Sequence, residues 1–287
     1  MVAHDATLLS AYAFCEKMAR EHYENFPVAS VLLPKRMRPH ISAIYAFART
    51  ADDIADEPGR QPAERLALLE QLDRHVDAAA RGLASGGPIF LALGDTIERC
   101  SLPVELLHDL LSAFRQDVTV HRYATWADVD DYCRRSANPV GRLVLRVAGV
   151  HDAGADRASD EVCTALQLAN FWQDFGRDWR NGRLYVPSEE IDRHGASIES
   201  LDRGSWSREW TATLRACVDR TRRLFDRGRP VADAVRGRLR WELRATWLGG
   251  VRILEKIEAL GYDTLRQRPK LGALDAALIA PRLLLWR

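Results

Sequence analysis

The amino-acid sequence predicts an all-α protein. Apolar residues recur at helical three- and four-residue spacings along most of the chain, and runs that alternate apolar and polar residues are scarce. Alanine, leucine, arginine and glutamate, all of which favour helices, are abundant. With 47% hydrophobic residues among 287, the chain can bury a sizeable core. No linker divides the sequence, so we expect one domain over residues 1–287.

Proline and glycine mark where the predicted helices begin and end. One helix is predicted from about Pro39 to Asp56, and Pro58-Gly59 ends it. The later predicted helices cover residues 62–83, 89–100, 103–116, 126–149, 157–180, 206–227, 231–260 and 272–285. Residues 182–204 are predicted to form a looped connection.

Charge and cysteine content exclude several classes of protein. Lysine plus arginine total 41 and aspartate plus glutamate total 40, so no bulk basic charge suits nucleic acid and we expect no nucleic-acid partner. The five cysteines are dispersed without a C-x-x-C pair, which fits a reducing cytoplasm rather than a disulfide framework. The N-terminal residues do not resemble a signal peptide, and no run of about 18 uncharged apolar residues predicts a membrane span.

A first polar seam lies in the predicted helix that ends near Asp56. Tyr45, Arg49, Asp52 and Asp56 are spaced four, three and four, which places them on one helical face with Asp53 beside it. The rest of this helix is mostly apolar, so we expect it to be buried. Buried carboxylates are costly unless they are neutralised. Arg49 can neutralise one and Mg2+ the others, although an arginine–aspartate network without metal fits this segment equally well.

A second polar seam lies in the helix predicted over residues 157–180. Gln167, Asn170, Asp174 and Asp178 are spaced three, four and four on an otherwise apolar helix, and Arg183 follows shortly after. Two carboxylate seams on separate buried helices would accumulate like charge, which divalent cations bridging them would relieve. A guanidinium suits phosphate. Together the two seams favour a metal–diphosphate site over a purely structural network.

Both segments resemble the aspartate-rich signatures of the squalene/phytoene synthase family. The first is YAFARTADDIAD, residues 45–56, and the second is QLANFWQDFGRD, residues 167–178, followed by GRLYVP at 182–187. The resemblance extends from about His22 to the C-terminal helix. It implies a single-domain helical bundle of the isoprenoid-synthase type with a central apolar channel, and an enzyme that acts on prenyl diphosphates.

The resemblance also implies roles for individual residues. The expected Mg2+ ligands, with Asp53 either a ligand or a supporting acceptor, are Asp52, Asp53, Asp56, Asn170, Asp174 and Asp178. The residues expected to contact diphosphate or to orient the metal ligands are Tyr45, Arg49, Gln167 and Arg183. Further expected substrate contacts are His22, Asn25, Phe26, Ala137, Val140, Gly141, Gln173 and Trp247. Tyr45, Arg49, Tyr132 and Asn138 are the expected catalytic residues.

Within the family, residues 25–30, 136–141 and 170–174 look most like the bacterial hydroxysqualene synthase branch. This resemblance implies that presqualene diphosphate is ionised and that water quenches the cation, in squalene or hopanoid biosynthesis beside sister enzymes of that pathway. We expect Asn138 to position the water. Asn25, Gln173 and Trp247 depart from residues common in the family, which leaves the product open.

Two alternatives stay open beside this interpretation. The first is head-to-head condensation of two prenyl diphosphates, such as C15 farnesyl diphosphate, to presqualene diphosphate, squalene, dehydrosqualene or phytoene. The second is a non-catalytic helical assembly factor, against which the intact aspartates argue.

Aromatic and apolar segments carry two further expectations. An apolar, partly aromatic wall protects a carbocation. The candidates, each of which also fits ordinary core packing, are Phe26, Phe47, Tyr132, Phe171, Trp172 and Trp247. The apolar tail at 271–287, punctuated by arginine, fits either a helix packed on the core or peripheral contact with the inner membrane, where a C30 substrate partitions.

Overall fold

The computed structural model describes residues 2–21, 32–57, 59–83 and 86–286, in which helices joined by turns and loops form the fold. Its α-helices are α1 (Val2–Glu21), α2 (Arg38–Asp56), α3 (Pro62–Ala80), α4 (Pro88–Cys100), α5 (Glu105–Thr119), α6 (Trp126–Ser136), α7 (Asn138–Val147), α8 (Ala153–Arg180), α9 (Ser188–His194), α10 (Ile198–Asp202), α11 (Arg208–Gly228), α12 (Gly237–Ala259) and α13 (Ala273–Leu284). Two 3-10 helices cover Lys35–Met37 and Arg229–Asp233. In these ranges the sole β-type pairing is an isolated parallel bridge between Arg122 and Leu184, so the all-α prediction is confirmed.

Several predicted boundaries are wrong for identifiable reasons. The helix predicted over 126–149 is two helices, because Pro139 lacks the N–H group that would continue the hydrogen bonds of α6 and is instead tolerated in the first turn of α7. Helix α8 begins four residues earlier than predicted, where Asp152 accepts a hydrogen bond from the Ala155 N–H and caps the helix. The predicted loop at 182–204 contains the short helices α9 and α10.

The chain divides into two compact units, each formed by three segments. The first unit comprises Met1–Thr119, Pro139–Asp156 and Val235–Glu242; the second comprises Val120–Asn138, Arg157–Ala234 and Leu243–Arg287. The prediction of a single domain over 1–287 stays a prediction. Across the described ranges, no helix is long and apolar enough to cross a membrane.

Small residues allow close helix packing in the first unit. Helix α1 was not predicted, yet it packs against α2 and α4. Its Ala11 and Cys15 are buried against Ala43, Ala46 and Ala92. Helix α2 also contacts α3 and α5, and it buries Phe47 against the edge of Phe90. These contacts fix the orientation of α2 and therefore the direction in which its polar seam faces.

Large aromatic side chains form the core of the second unit. Trp172 of α8 and Trp210 of α11 are fully buried. The Trp172 indole donates a hydrogen bond to the Thr221 hydroxyl at 2.8 Å, which satisfies its one polar atom. Gly228 lets α11 approach α8, because a Cβ there would lie 2.6 Å from a Val162 methyl. This packing fixes the orientation of α8, which carries the second polar seam.

Candidate active site

The first seam follows one face of α2 as its spacing predicted. The Arg49 guanidinium contacts Asp52 at 3.4 Å and Asp53 at 2.6 Å, so the prediction that Arg49 neutralises one carboxylate is confirmed and extends to a second. The expectation that these carboxylates are buried is wrong. The Asp52 and Asp53 side chains are 45% and 55% exposed, and Asp56 is exposed. Solvent therefore screens this charge, and the cost of burial is no argument for a metal here.

The two carboxylate contacts of Arg49 use its terminal nitrogens and leave its Nε–H unused. The Arg49 Nε is buried and has no hydrogen-bond partner in the part of the chain that the structure describes. An anionic oxygen at this point would satisfy it, and guanidinium groups pair well with phosphate. One turn earlier, burial and the nearby Asp52 and Asp53 carboxylates raise the pKa of Tyr45, while Arg49 lowers it. The Tyr45 hydroxyl therefore stays protonated at neutral pH and can donate a hydrogen bond.

The second seam, on α8, differs from the first in having one buried carboxylate. Asp174 is buried, as the sequence predicted, and both its carboxylate oxygens accept hydrogen bonds from Arg268, one of them at 3.2 Å. One turn before it Asn170 is exposed, and one turn after it Asp178 is half-buried. Gln167 is also half-buried. The partner of Asp174 was missed because it lies 94 residues away in sequence.

A segment that we call the strap, residues 264–269, crosses α8 at this seam. The Gly176 N–H donates to the Thr264 carbonyl at 3.2 Å, and the Gln173 amide donates to the Pro269 carbonyl at 2.7 Å. A Cβ on Gly176 would lie 2.0 Å from the Leu265 carbonyl oxygen, so glycine is required at this approach. Gln173 thus holds the protein's own backbone, and its expected contact with substrate stays a prediction.

The residues after α8 turn back towards an aromatic cluster. Gly182 ends the helix with φ +80°, and the Arg183 N–H donates to the Asp178 carbonyl at 2.8 Å. The chain then pairs with residues 121–124, because the Leu184 N–H donates to the His121 carbonyl at 3.0 Å. This route carries Arg183 and its neighbour Tyr185 along the second unit.

The aromatic cluster consists of Tyr123, Tyr132, Phe171 and Tyr185. Phe171 and Tyr185 stack with ring centroids 3.6 Å apart, and Tyr132 lies 6.1 Å from Phe171 and 5.8 Å from Tyr123. Tyr132, Phe171 and the adjacent Trp172 were candidates for a cation-protecting wall, and the structure brings them together. Tyr123 and Tyr185 were missed, although Tyr185 lies inside the GRLYVP segment.

The other expected site residues have separate surroundings. Asn138 accepts a hydrogen bond from the Thr164 hydroxyl at 2.9 Å, next to the buried Ala137. The Trp247 indole donates to the Phe225 carbonyl at 2.7 Å, and its ring packs on Trp286. Val140 and Gly141 are half-buried residues of α7, and Phe47 belongs to the core of the first unit. His22, Asn25 and Phe26 lie outside the described residues.

The donor chemistry of each seam fits Mg2+. Asp52 and Asp56 on α2, and Asp174 and Asp178 on α8, are hard oxygen donors one helical turn apart. Among the described residues, no group of three or more histidine, cysteine, aspartate or glutamate side chains converges as a ready cation site. Mg2+ keeps several waters and shares phosphate oxygens, so it needs only one or two carboxylates from the protein.

Comparison with known proteins places the chain in a family. The squalene/phytoene synthase family matches residues 19–275. A hydroxysqualene synthase from Sinorhizobium fredii is 37% identical over 265 residues, covering 92% of this chain and 88% of the relative. The crystal structure of squalene synthase HpnC from Alicyclobacillus acidocaldarius superposes with a TM-score of 0.84 at 40% identity, covering 89% of this chain and 95% of that one.

A ligand-bound dehydrosqualene synthase superposes with a TM-score of 0.85 at 22% identity over 97% of both chains. This last similarity bears on the fold alone, and it confirms the helical isoprenoid-synthase type that the sequence predicted. With residues 19–275 matched, the chain belongs to the squalene/phytoene synthase family, whose members are enzymes that process prenyl diphosphates.

Proposed function

We propose that this enzyme converts presqualene diphosphate and water to hydroxysqualene with release of diphosphate, in an Mg2+-dependent reaction of squalene or hopanoid biosynthesis. The observation that carries the proposal is the first seam, where a buried Arg49 Nε, which has no partner among the described residues, lies one turn from paired carboxylates. The S. fredii relative, a hydroxysqualene synthase that aligns with 92% of this chain, supports the choice of product.

Ionisation breaks the carbon–oxygen bond of the substrate, and both electrons leave with the diphosphate. Asp52, Asp56, Asp174 and Asp178, with Asn170, would hold Mg2+ in this proposal, and the positive charge of the ion would stabilise this leaving group. The Arg49 Nε and the protonated Tyr45 hydroxyl are donors whose hydrogen bonds to diphosphate strengthen as its charge grows. Arg183 and Gln167 are further donors for the phosphate oxygens in this proposal.

The carbocation that remains needs an apolar surrounding and one water. The aromatic cluster offers π faces that stabilise a cation, and its buried Tyr132 and Phe171 exclude bulk solvent. The water oxygen forms the new carbon–oxygen bond, and its proton passes to the released diphosphate or to solvent. Asn138 Oδ1 accepts one hydrogen bond from Thr164 and keeps a second lone pair for that water.

Incubation with each candidate substrate in Mg2+ tests the proposal. Presqualene diphosphate is expected to give hydroxysqualene and diphosphate, and N138A is expected to lower the share of hydroxysqualene among the products. An unchanged share in N138A would reject the role of Asn138.

The second candidate function is head-to-head condensation, which the similarity to squalene synthase HpnC favours. Product from farnesyl diphosphate alone would establish it, and no diphosphate release from either substrate would point to an assembly factor.

We further propose that α13 contacts the cytoplasmic face of the inner membrane. Its polar side faces α12, where Asp275 accepts hydrogen bonds from Arg252 at 2.7 Å and Lys256 at 2.6 Å. Its outward side is apolar, with Leu274 and Leu278 exposed. An ordinary surface helix buries its apolar side and exposes its polar side. Helix α13 does the opposite, and an exposed apolar side suits a lipid surface.

The charge beside this helix supports the same occupant. Arg266 and Lys270 are exposed, although Arg266 also contacts Asp263 at 3.5 Å, and Asp275, the one acid between residues 264 and 286, is buried and paired. Basic groups beside an apolar face favour anionic lipid. In sedimentation with phosphatidylglycerol vesicles, we expect the wild-type protein to pellet with the vesicles and L274S/L278S to stay in the supernatant. The control L9S, which alters another exposed leucine, is expected to pellet as the wild type does. Loss of a dimer in the double variant would instead identify a second copy as the occupant.

Hydroxysqualene formation also implies a supplier. A presqualene diphosphate made elsewhere must reach this enzyme, so we propose functional coupling to the sister enzyme that makes it.

A further inference from the structure

The pair between Asp174 and Arg268 holds a proposed metal ligand in a state that excludes the metal. The Asp174 side chain is 10% exposed, and both its oxygens already accept hydrogen bonds from the guanidinium. Arg268 itself is 36% exposed, so its charge reaches the surface while its donors point inward. A cation arriving at Asp174 must displace at least one of these hydrogen bonds.

The strap keeps Arg268 beside Asp174 independently of the ion pair. The Gln173 amide fixes the Pro269 carbonyl at 2.7 Å, and the Gly176 N–H fixes the Thr264 carbonyl at 3.2 Å. These two contacts lie on either side of Asp174 in α8. A displaced Arg268 side chain therefore stays close to the carboxylate that it has left.

We infer that Arg268 is a positioning residue that makes divalent-cation binding at Asp174 depend on a bound diphosphate. The inference rests on the proposed function, in which Asp174 is a metal ligand. When a cation binds alone, Arg268 loses its partner, and a charged group left without one is unfavourable. Phosphate oxygens offer a guanidinium the same paired acceptors as a carboxylate. Diphosphate therefore offsets the cost of displacing Arg268, and cation and diphosphate bind cooperatively.

Mn2+ binding, followed by electron paramagnetic resonance with and without inorganic pyrophosphate, tests this coupling. In the wild type, pyrophosphate is expected to tighten Mn2+ binding by about tenfold or more. In R268Q, Mn2+ alone is expected to bind about tenfold more tightly than in the wild type, because no guanidinium competes, and pyrophosphate adds a smaller gain. A purely structural Arg268 would leave both quantities unchanged.

Two further variants keep the result interpretable. R266Q alters the arginine two residues earlier, which contacts the Gly204 carbonyl and Asp263, and is expected to bind Mn2+ as the wild type does. R268K keeps the charge but not the paired donors, and it is expected to fall between wild type and R268Q. It serves as the deciding variant if R268Q does not fold.

The outcomes separate the inference from the proposed function. Weaker or unchanged Mn2+ binding in R268Q and R268K, with wild-type coupling to pyrophosphate, overturns the role of Arg268 and leaves the metal site standing. Absence of Mn2+ binding by the wild type in both conditions overturns the metal site and the inference together.

Discussion

The two aspartate seams use the same residue types in different electrostatic environments. On α2, Arg49 precedes its partners by three and four residues, and the carboxylates are about half exposed. On α8, Asp174 is buried and paired with an arginine 94 residues later. An exposed local pair contributes about 0–1 kcal/mol to stability. Breaking a buried pair costs about 3–5 kcal/mol, and the partial exposure of Arg268 places this pair at or below the lower end. The ion pairs of the first seam therefore contribute little to stability, whereas the buried pair of the second seam is part of the fold.

The largest expected effect is on the rate of diphosphate release, at the first seam. R49Q removes the donor proposed to stabilise the departing diphosphate, and we expect kcat to fall by about 100-fold to 1,000-fold. The loss of stability should stay below about 1 kcal/mol, because the Asp52 and Asp53 carboxylates are exposed. Steady-state kinetics and urea unfolding measure the two quantities. If R49Q lost activity only because it unfolds, the first seam would affect stability as the second does, and the contrast between the two seams would not hold.

The next effect is on stability at the second seam. G176A places a Cβ against the Leu265 carbonyl, and we expect a loss of about 3 kcal/mol as the strap is forced from α8. G249A is the matched control, also within a helix, where the added Cβ would meet a Leu271 methyl at an ordinary 3.6 Å. Its stability should stay within about 1 kcal/mol of wild type, on the favourable side, because alanine is the better helix former. Equal losses in the two variants would show that the strap is not held by this approach.

A smaller effect compares the two arginines directly. R268Q leaves Asp174 buried without its partner, and we expect the metal-free protein to lose about 2 kcal/mol, reduced for the partial exposure of Arg268. R49Q should lose less than half as much. Urea unfolding in EDTA measures both variants under one condition. A loss in R49Q that equals or exceeds the loss in R268Q would contradict the assignment of the buried pair to the fold.

Local spacing was sufficient for part of this site. The helical period placed Arg49 within reach of Asp52 and Asp53, and it placed Asp174 on a face of α8 with Asn170 and Asp178. The same period gave most helix boundaries, because an amphipathic repeat is a property of consecutive residues.

What the sequence missed depends on contacts between distant segments. Arg268 reaches Asp174 across 94 residues, and no periodic pattern relates the two. The exposure of Asp53 was misjudged, because apolar neighbours along α2 do not reveal which face the surrounding helices cover. Helix α1 carries small residues that are buried against α2 and α4, and its own sequence does not show which segments it packs against. Tertiary packing decided each of these features.

The steric requirement for glycine at position 176 also applies to family members that are known only by sequence. A Cβ at this position would overlap the Leu265 carbonyl, so any sequence that lays its segment over the helix in the same way must keep glycine between its two aspartates. One letter of an unaligned sequence, the third of DFGRD, therefore sorts family members into those able to adopt this crossing and those that must route the segment elsewhere. Only in the family members that keep this glycine do we expect an arginine equivalent to Arg268 to lie beside the carboxylate equivalent to Asp174.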